Sequence, residues 1–195
     1  MQKKRNKQAK IMVGFDFDGV VFFNVARVLR PFIYFVKRYI FGIKVTKFYI
    51  PQHPLAKRIA LFLHKTSYKP NAGFDLFLKM LNNPRYEVYI VTARMGFMQE
   101  DIYKILKNYD IKGLKKVIQN KKDEQPHLYK ERVVKHLKLE YFVEDNWDIV
   151  KHLHETTKAK VIWIYNLTDK FFIKYNPKAP NLGEAIRMIE KEVRK

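Results

Sequence analysis

Two aspartates, Asp16 and Asp18, stand two residues apart directly after the apolar segment 11–15. Residues i and i+2 of an extended chain share a face, so both carboxylates are expected to point into one crevice. Gly19 follows and lets the backbone turn away sharply. An Asp-rich turn is the simplest alternative. A calcium-binding loop is excluded, because the stretch that continues to Arg27 offers no further acidic ligand.

A second polar group ends another apolar segment, residues 86–91, which is followed by Thr92, Ala93 and Arg94. A hydroxyl and backbone N–H groups at a strand terminus are donors that a phosphate site requires. The alternative for Thr92 is an ordinary strand end or helix cap. Arg94 either steadies a substrate phosphate or caps the neighbouring helix.

A third polar group follows residues 141–143, where Glu144 and Asp145 are adjacent. Neighbouring acids at a strand end are costly unless a cation or solvent offsets their repulsion. Mg²⁺, held by one or two carboxylates together with substrate phosphate and water, would offset it. The alternative is that Asp145 or Asn146 caps the following helix.

The elements that must position these groups alternate along the chain. Segments rich in β-branched and aromatic residues predict about five strands at residues 11–15, 86–91, 116–118, 141–144 and 161–165. Apolar residues at spacings of three and four predict helices over residues 126–139, 146–154 and 182–193. This alternation predicts an α/β fold with a Rossmann-like parallel sheet covered by helices, in which ligands bind beyond the carboxyl ends of the strands.

The first two predicted strands are separated by far more residues than one crossover needs, which predicts an insertion. We divide the chain into a basic tail (1–10), a core (11–22 and 71–195) and an insert (23–70). The segment from Val20 to Phe74 contains ten Lys and Arg residues and no acid. Prolines divide the insert into at least two helical pieces, 24–41 and 55–65. The polar, basic residues 1–10 predict no secretory signal, and no uncharged apolar stretch is long enough to span a bilayer.

Taken together and in this order, Asp-Phe-Asp-Gly, Val-Thr-Ala-Arg and Val-Glu-Asp-Asn resemble the motifs of the haloacid dehalogenase (HAD) superfamily. The resemblance implies that Asp16 is a nucleophile and Asp18 a general acid/base. It implies that Thr92, with the adjoining Ala93 and Arg94, binds phosphoryl oxygens. Asp145, the carboxylate of Asp16 and the main-chain carbonyl of Asp18 would bind Mg²⁺. The basic insert occupies the place of a helical cap.

The superfamily also carries a lysine before its last acidic motif. We choose Lys130, because the stretch from Lys130 to Leu137 leads into the segment at Tyr141 as the superfamily's lysine helix does. Five other lysines compete for this role: Lys115, Lys116, Lys121, Lys122 and Lys135. Glu144 stands where many members have Asp, and Asp148 is an alternative metal ligand. The sequence therefore does not decide which acids besides Asp145 bind the metal.

The function expected from this resemblance is a Mg²⁺-dependent phosphomonoester hydrolase that works through an aspartyl-phosphate. Asp18 favours a phosphatase over a dehalogenase, because halide leaves without a proton. The substrate class is a nucleotide or another small phosphorylated metabolite, and the short insert resembles the nucleotidase branch. The net charge of +20 predicts attraction to anions. A second hypothesis is a protein of this fold that uses the basic insert to bind nucleic acid or an anionic membrane with little turnover. We expect a cytoplasmic protein, with a peripheral membrane association left open.

Overall fold

A computed structural model of the chain describes residues 9–24, 48, 50, 53–65, 67–98, 100–166 and 169–194. Within these residues, one sheet contains six parallel strands in the order β3-β2-β1-β4-β5-β6. The strands are β1 (Ile11–Phe15), β2 (Tyr86–Thr92), β3 (Lys116–Gln119), β4 (Tyr141–Glu144), β5 (Lys160–Ile164) and β6 (Lys178–Ala179). The strand order reverses between β1 and β4, which is the position where ligands bind in sheets of this type.

Register brings the ends of the three central strands together. Phe15 of β1 pairs with Ile90 of β2 on one side and with Val143 of β4 on the other. All three residues are fully buried, as expected for β-branched and aromatic side chains in a sheet covered on both faces. The residues that follow β1, β2 and β4 therefore meet at one edge of the sheet.

Helices cover the sheet on both faces. Their bounds are α1 (Pro54–Lys65), α2 (Phe74–Leu81), α3 (Glu100–Asn108), α4 (Pro126–Leu137), α5 (Trp147–Thr156), α6 (Asp169–Phe172) and α7 (Leu182–Val193), with a 3-10 turn at Gly96–Met98. Apolar residues of α2, α3 and α7 form one core with β1. Those of α4 and α5 form a second core on the opposite face. The protein thus has the three layers that the alternating pattern predicts.

The predicted fold class is confirmed, with one addition and small changes of boundary. The sixth strand, β6, has two residues, too few to show a periodic pattern. The helix predicted over 126–139 ends at Leu137, because Lys138 adopts a left-handed conformation with φ 52°. The helix predicted over 146–154 begins at Trp147, since Asn146 caps it from outside.

Of the basic insert, the structure describes the second predicted helix, which spans Pro54–Lys65. The first predicted helix, 24–41, lies outside the described residues except for Asn24. The division into core and insert stays a prediction. No helix among the described residues is long and apolar enough to cross a bilayer.

Gly73 allows the first turns of α2 and α7 to touch. It has φ +91°, and a Cβ built on it would lie 2.2 Å from the Cα of Gly183. We expect Gly73→Ala to lower the free energy of unfolding by about 2 kcal/mol or more, because a left-handed conformation alone costs roughly 1–2 kcal/mol with a side chain. Urea unfolding followed by circular dichroism measures the difference.

The matched control is Gly96→Ala, because the nearest atom to a Cβ there is 3.8 Å away. It should change the free energy of unfolding by only a few tenths of a kcal/mol. Equal effects of the two substitutions would show that the contact between α2 and α7 is not constrained by Gly73.

Candidate active site

Asp16 and Asp18 lie at the carboxyl end of β1, and both are almost fully buried. The backbone N–H of Asp16 donates to the carbonyl of Val143 at 3.0 Å, which extends the pairing of β1 and β4 by one residue. Gly19 then turns the chain with φ +85°. The two acids therefore leave the sheet beside the end of β4.

Thr92 is the last residue of β2 and is fully buried. Its hydroxyl accepts a hydrogen bond from the backbone N–H of Arg94 at 3.2 Å, which bends the chain after the strand. Ala93 between them is half-buried and packs against the second core. Ala93 can therefore bind a phosphate only through its backbone.

Lys130 lies on α4 and reaches the end of the sheet with its side chain buried. Its Nζ lies 2.9 Å from Oδ1 of Asp16 and 2.6 Å from Oε2 of Glu144. One ammonium thus joins the end of β1 to the end of β4. Among the six lysines considered from the sequence, Lys130 is the one that the structure places beside Asp16.

The competing lysines lie elsewhere on the surface. Lys115 pairs with Glu87 and Lys135 with Glu131. The remaining three are exposed: Lys116, Lys121 and Lys122.

Asp145 follows β4 and comes close to Asp16. One carboxylate oxygen from each of Asp16, Glu144 and Asp145 lies within 4.8 Å of the other two. A Cβ on Gly19 would lie 2.0 Å from Oδ2 of Asp145, so the aspartate side chain needs the glycine beside it. Asn146, rather than Asp145, caps α5 by accepting from the backbone N–H of Asp148 at 3.0 Å.

Glu144 is held differently from the other two acids of this cluster. Its Oε2 contacts Lys130 and its Oε1 accepts from the backbone N–H of Asn146 at 3.0 Å. Both oxygens therefore have protein donors. Asp16 and Asp145 are the more suitable ligands for a cation, while the half-buried Asp148 lies one turn into α5, outside the cluster of three acids.

Burial and crowding determine how these groups ionise. Burial raises the pKa of Asp16 well above its ordinary value; Lys130 lowers it, and the neighbouring acids raise it further. Burial also raises the pKa of Glu144, against the opposing effect of Lys130. Burial disfavours the charged form of Lys130, but Asp16 and Glu144 outweigh it and raise its pKa above the usual value.

The composition of this cluster fits a divalent cation. Among the described residues, the buried charged side chains are Asp16, Asp18, Arg94, Lys130, Glu144 and Asp145. With all of them ionised, four carboxylates and two cations leave a formal charge of −2 in a buried site. Hard oxygen ligands of this kind suit Mg²⁺. A divalent cation would balance the charge and relieve the repulsion between Asp16 and Asp145.

Arg94 contacts Asp18, and its predicted role as a phosphate-binding group or helix cap stays a prediction. Its Nε lies 2.9 Å from Oδ2 of Asp18, and its Nη2 lies 2.8 Å from Oδ1. Asn24 also donates to Oδ1 of Asp18, at 3.3 Å. No local pattern marked Asn24, because an asparagine six residues beyond Asp18 has no characteristic spacing.

Comparison with known proteins adds information about the fold. No family model matches the sequence, and no curated protein matches it. Solved structures do match. A magnesium-bound HAD hydrolase, YfnB from Bacillus subtilis, has 13% identity and a TM-score of 0.59 over 93% of this chain and 99% of that one. A haloacid dehalogenase-like hydrolase from Burkholderia xenovorans has 13% identity and a TM-score of 0.59 over 95% and 99%.

A third match, a candidate β-phosphoglucomutase from Thermotoga maritima, has 13% identity and a TM-score of 0.57 over 93% of this chain and 99% of that one. These matches cover nearly the whole of both proteins, and their identities are low. They show that the chain shares the fold of these proteins.

The raised pKa of Asp16 makes a prediction about stability without metal. Because the pKa of Asp16 is higher in the folded than in the unfolded protein, the wild type is most stable when this carboxyl is protonated, below its unfolded pKa. This stability is lost as the pH rises through the folded pKa. Asp16→Asn stays neutral. Its free energy of unfolding relative to wild type should therefore increase from about pH 4 to about pH 8, by about 1.4 kcal/mol for each unit of the shift.

Urea unfolding in EDTA across this pH range measures the difference. Asp110→Asn is the control, because the side chain of that aspartate is exposed and pairs with the exposed Lys112. It should show no comparable increase with pH. A difference between Asp16→Asn and wild type that stays constant or shrinks would contradict the raised pKa.

Proposed function

We propose that the chain is a divalent-cation-dependent phosphomonoester hydrolase of the haloacid dehalogenase superfamily, acting through an aspartyl-phosphate. The observation that carries this proposal is the contact of Asp16 with Lys130, 2.9 Å apart, in a buried cluster with Asp145. A carboxylate beside a fixed cation at the carboxyl edge of the sheet has the surroundings that nucleophilic attack on phosphorus requires.

Asp16 supplies the nucleophilic oxygen. A phosphate monoester repels an approaching carboxylate, so its oxygens must be neutralised first. The ammonium of Lys130, the hydroxyl of Thr92 and the backbone N–H of Ala93 would be fixed donors for them. The attack forms a bond between Asp16 and phosphorus and breaks the bond to the leaving oxygen.

Asp18 supplies proton transfer in this proposal. It gives a proton to the leaving alcohol and later takes one from the water that hydrolyses the aspartyl-phosphate. Mg²⁺, bound by Asp16, Asp145 and the main-chain carbonyl of Asp18, would supply positive charge for the phosphoryl oxygens. The presence of Asp18 favours a phosphatase over a dehalogenase.

The substrate class that we propose is a small phosphorylated molecule, with a nucleotide first. The net charge of +20 and the acid-free insert favour anionic substrates. The nucleotidase-like opening of the sequence, Asp-Gly-Val, supports the nucleotide. A binding protein without turnover is less well supported, because it has no need for all three of the buried carboxylates Asp16, Asp18 and Asp145.

Phosphate release tests the proposal. Wild type should hydrolyse members of a panel of nucleoside monophosphates, sugar phosphates and p-nitrophenyl phosphate with Mg²⁺, and EDTA should abolish the reaction. Asp16→Asn should lose roughly 10³-fold or more of kcat, because the nucleophile is removed.

Asp110→Asn is the matched control and should keep wild-type activity, since the residue is exposed and is not a member of the cluster. Equal turnover by wild type and Asp16→Asn would defeat the nucleophile assignment. Undiminished turnover in EDTA would defeat the cation requirement.

The described part of the insert favours a membrane role alongside the enzyme. Leu55, Ile59 and Phe62 of α1 share one helical face and are 60%, 55% and 71% exposed. Arg58 and Lys65 are exposed on the same helix, which contains no acid. Apolar residues flanked by basic ones are typical of helices that lie on anionic bilayers. We propose that α1 recruits the protein to an anionic membrane surface.

Vesicle sedimentation tests this recruitment. The full chain should bind vesicles with anionic lipid more tightly than neutral vesicles. Combined Arg58→Gln and Lys65→Gln substitutions should weaken binding about tenfold or more, since each basic residue contributes about 1 kcal/mol. Leu55→Ser with Phe62→Ser should weaken it as well, because apolar insertion is lost.

Lys112→Gln with Lys116→Gln is the control, since both lysines are exposed outside the insert. It should have the smaller effect. Equal loss in the control would indicate general attraction to the basic protein. Tight binding of an oligonucleotide together with no binding of vesicles would overturn the membrane proposal in favour of nucleic acid.

A further inference from the structure

Arg94 forms a forked contact with Asp18 in the interior of the protein. The arginine side chain is 1% exposed and the aspartate side chain 7%. The two nitrogens Nε and Nη2 each approach a different oxygen of the carboxylate, at 2.9 and 2.8 Å. Such paired contacts fix the plane of a carboxylate as well as its position.

The arginine is itself held in place on two sides. Its guanidinium carbon lies 4.8 Å from the centre of the Phe17 ring, which belongs to the residue between the two aspartates. Its backbone N–H donates to the Thr92 hydroxyl. The guanidinium is therefore built into the junction between β1 and β2, and its direction is set before any substrate enters.

These contacts distinguish two possible uses of Arg94. If Arg94 bound the substrate phosphate, its Nε and Nη2 would face the side of Asp16. Both nitrogens face Asp18 instead. Turning the fork to a substrate would take both of these contacts away from the buried Asp18 carboxylate, which is strongly unfavourable. With Asn24, three donor groups approach the two oxygens of Asp18. The carboxylate is thereby presented as an acceptor.

We infer that Arg94 is a positioning residue, which orients Asp18 as the base of the second half-reaction. This inference rests on the proposed function. In that step a water oxygen forms a bond to phosphorus and the bond from phosphorus to Asp16 breaks, which frees the Asp16 carboxylate. The proton of the water passes to Asp18. Arg94 contacts neither the water nor the phosphoryl group; it fixes the oxygen that takes the proton.

The two half-reactions should respond differently when Arg94 is replaced. p-Nitrophenolate leaves without needing a proton, so formation of the aspartyl-phosphate from p-nitrophenyl phosphate should continue at a rate near that of wild type. Hydrolysis of the aspartyl-phosphate should slow, because its base is no longer oriented. The phosphorylated protein should then accumulate.

Rapid mixing of p-nitrophenyl phosphate and Mg²⁺ with Arg94→Gln measures both steps. We expect a burst of about one p-nitrophenolate per protein, followed by a steady rate lower by about 10²-fold, within the range that general acid–base catalysis supplies. Acid quenching should trap the phosphorylated protein. KM should not rise. Arg94→Lys, which keeps the charge but not the fork, should recover part of the steady rate.

Arg85→Gln is the matched control. Arg85 lies outside the site, where its guanidinium donates to the carbonyl of Val193, and its substitution should leave both phases unchanged. Combining Arg94→Gln with Asp18→Asn should slow the second step no further than Asp18→Asn alone, because the arginine acts through the aspartate.

The possible failures are distinguishable. A higher KM with unchanged kcat, or equal slowing of both phases, would overturn the inference and make Arg94 a substrate ligand. Additive losses in the double variant would overturn it as well. If Arg94→Gln and Arg94→Lys do not fold, Asn24→Ala replaces them; it should give the same burst with a smaller loss, and no burst would overturn the inference. Absence of turnover in wild type would instead contradict the proposed function.

Discussion

The contact of Lys130 with Asp16 and Glu144 is the interaction on which the candidate site depends. Oxygens of Asp16 and Glu144, at the ends of neighbouring strands, lie within 4.8 Å of each other. Two buried carboxylates this close could not both be charged without a cation between them. The ammonium lies on α4, so it also fixes this helix against the ends of β1 and β4. The ion bridge is observed, and in the proposed function the same ammonium would also bind the phosphoryl group.

The sheet determines which residues can take part in that contact. Because Phe15 pairs with both Ile90 and Val143, the residues after three strands reach the same edge. Arg94 meets Asp18 across a separation of 76 residues for this reason. Burying any one of these charged groups alone would cost a large desolvation free energy. Contact between opposite charges offsets part of that cost.

Apolar segments followed by polar residues pointed to Asp16, Thr92 and Asp145, and the family resemblance selected Lys130 among six lysines. The structure places Lys130 and Asp145 beside Asp16, while the roles of these residues stay predictions. Sequence reasoning did not find the partner of Glu144 or that of Arg94, because those contacts depend on register and on the direction of a side chain. It also missed β6, whose two residues have no detectable period.

Contacts from the insert reach the same elements that carry the site. Asn24, at the start of the insert, donates to Asp18, and Asn71, just beyond its end, donates to the carbonyl of Gly19 at 2.9 Å. Within the insert, the backbone N–H of Phe48 donates to Gln125, directly before the helix of Lys130. A displacement of the predicted insert at these points would disturb Asp18 and the start of the helix that carries Lys130. Hydrogen bonds therefore connect the predicted insert to the residues proposed for catalysis.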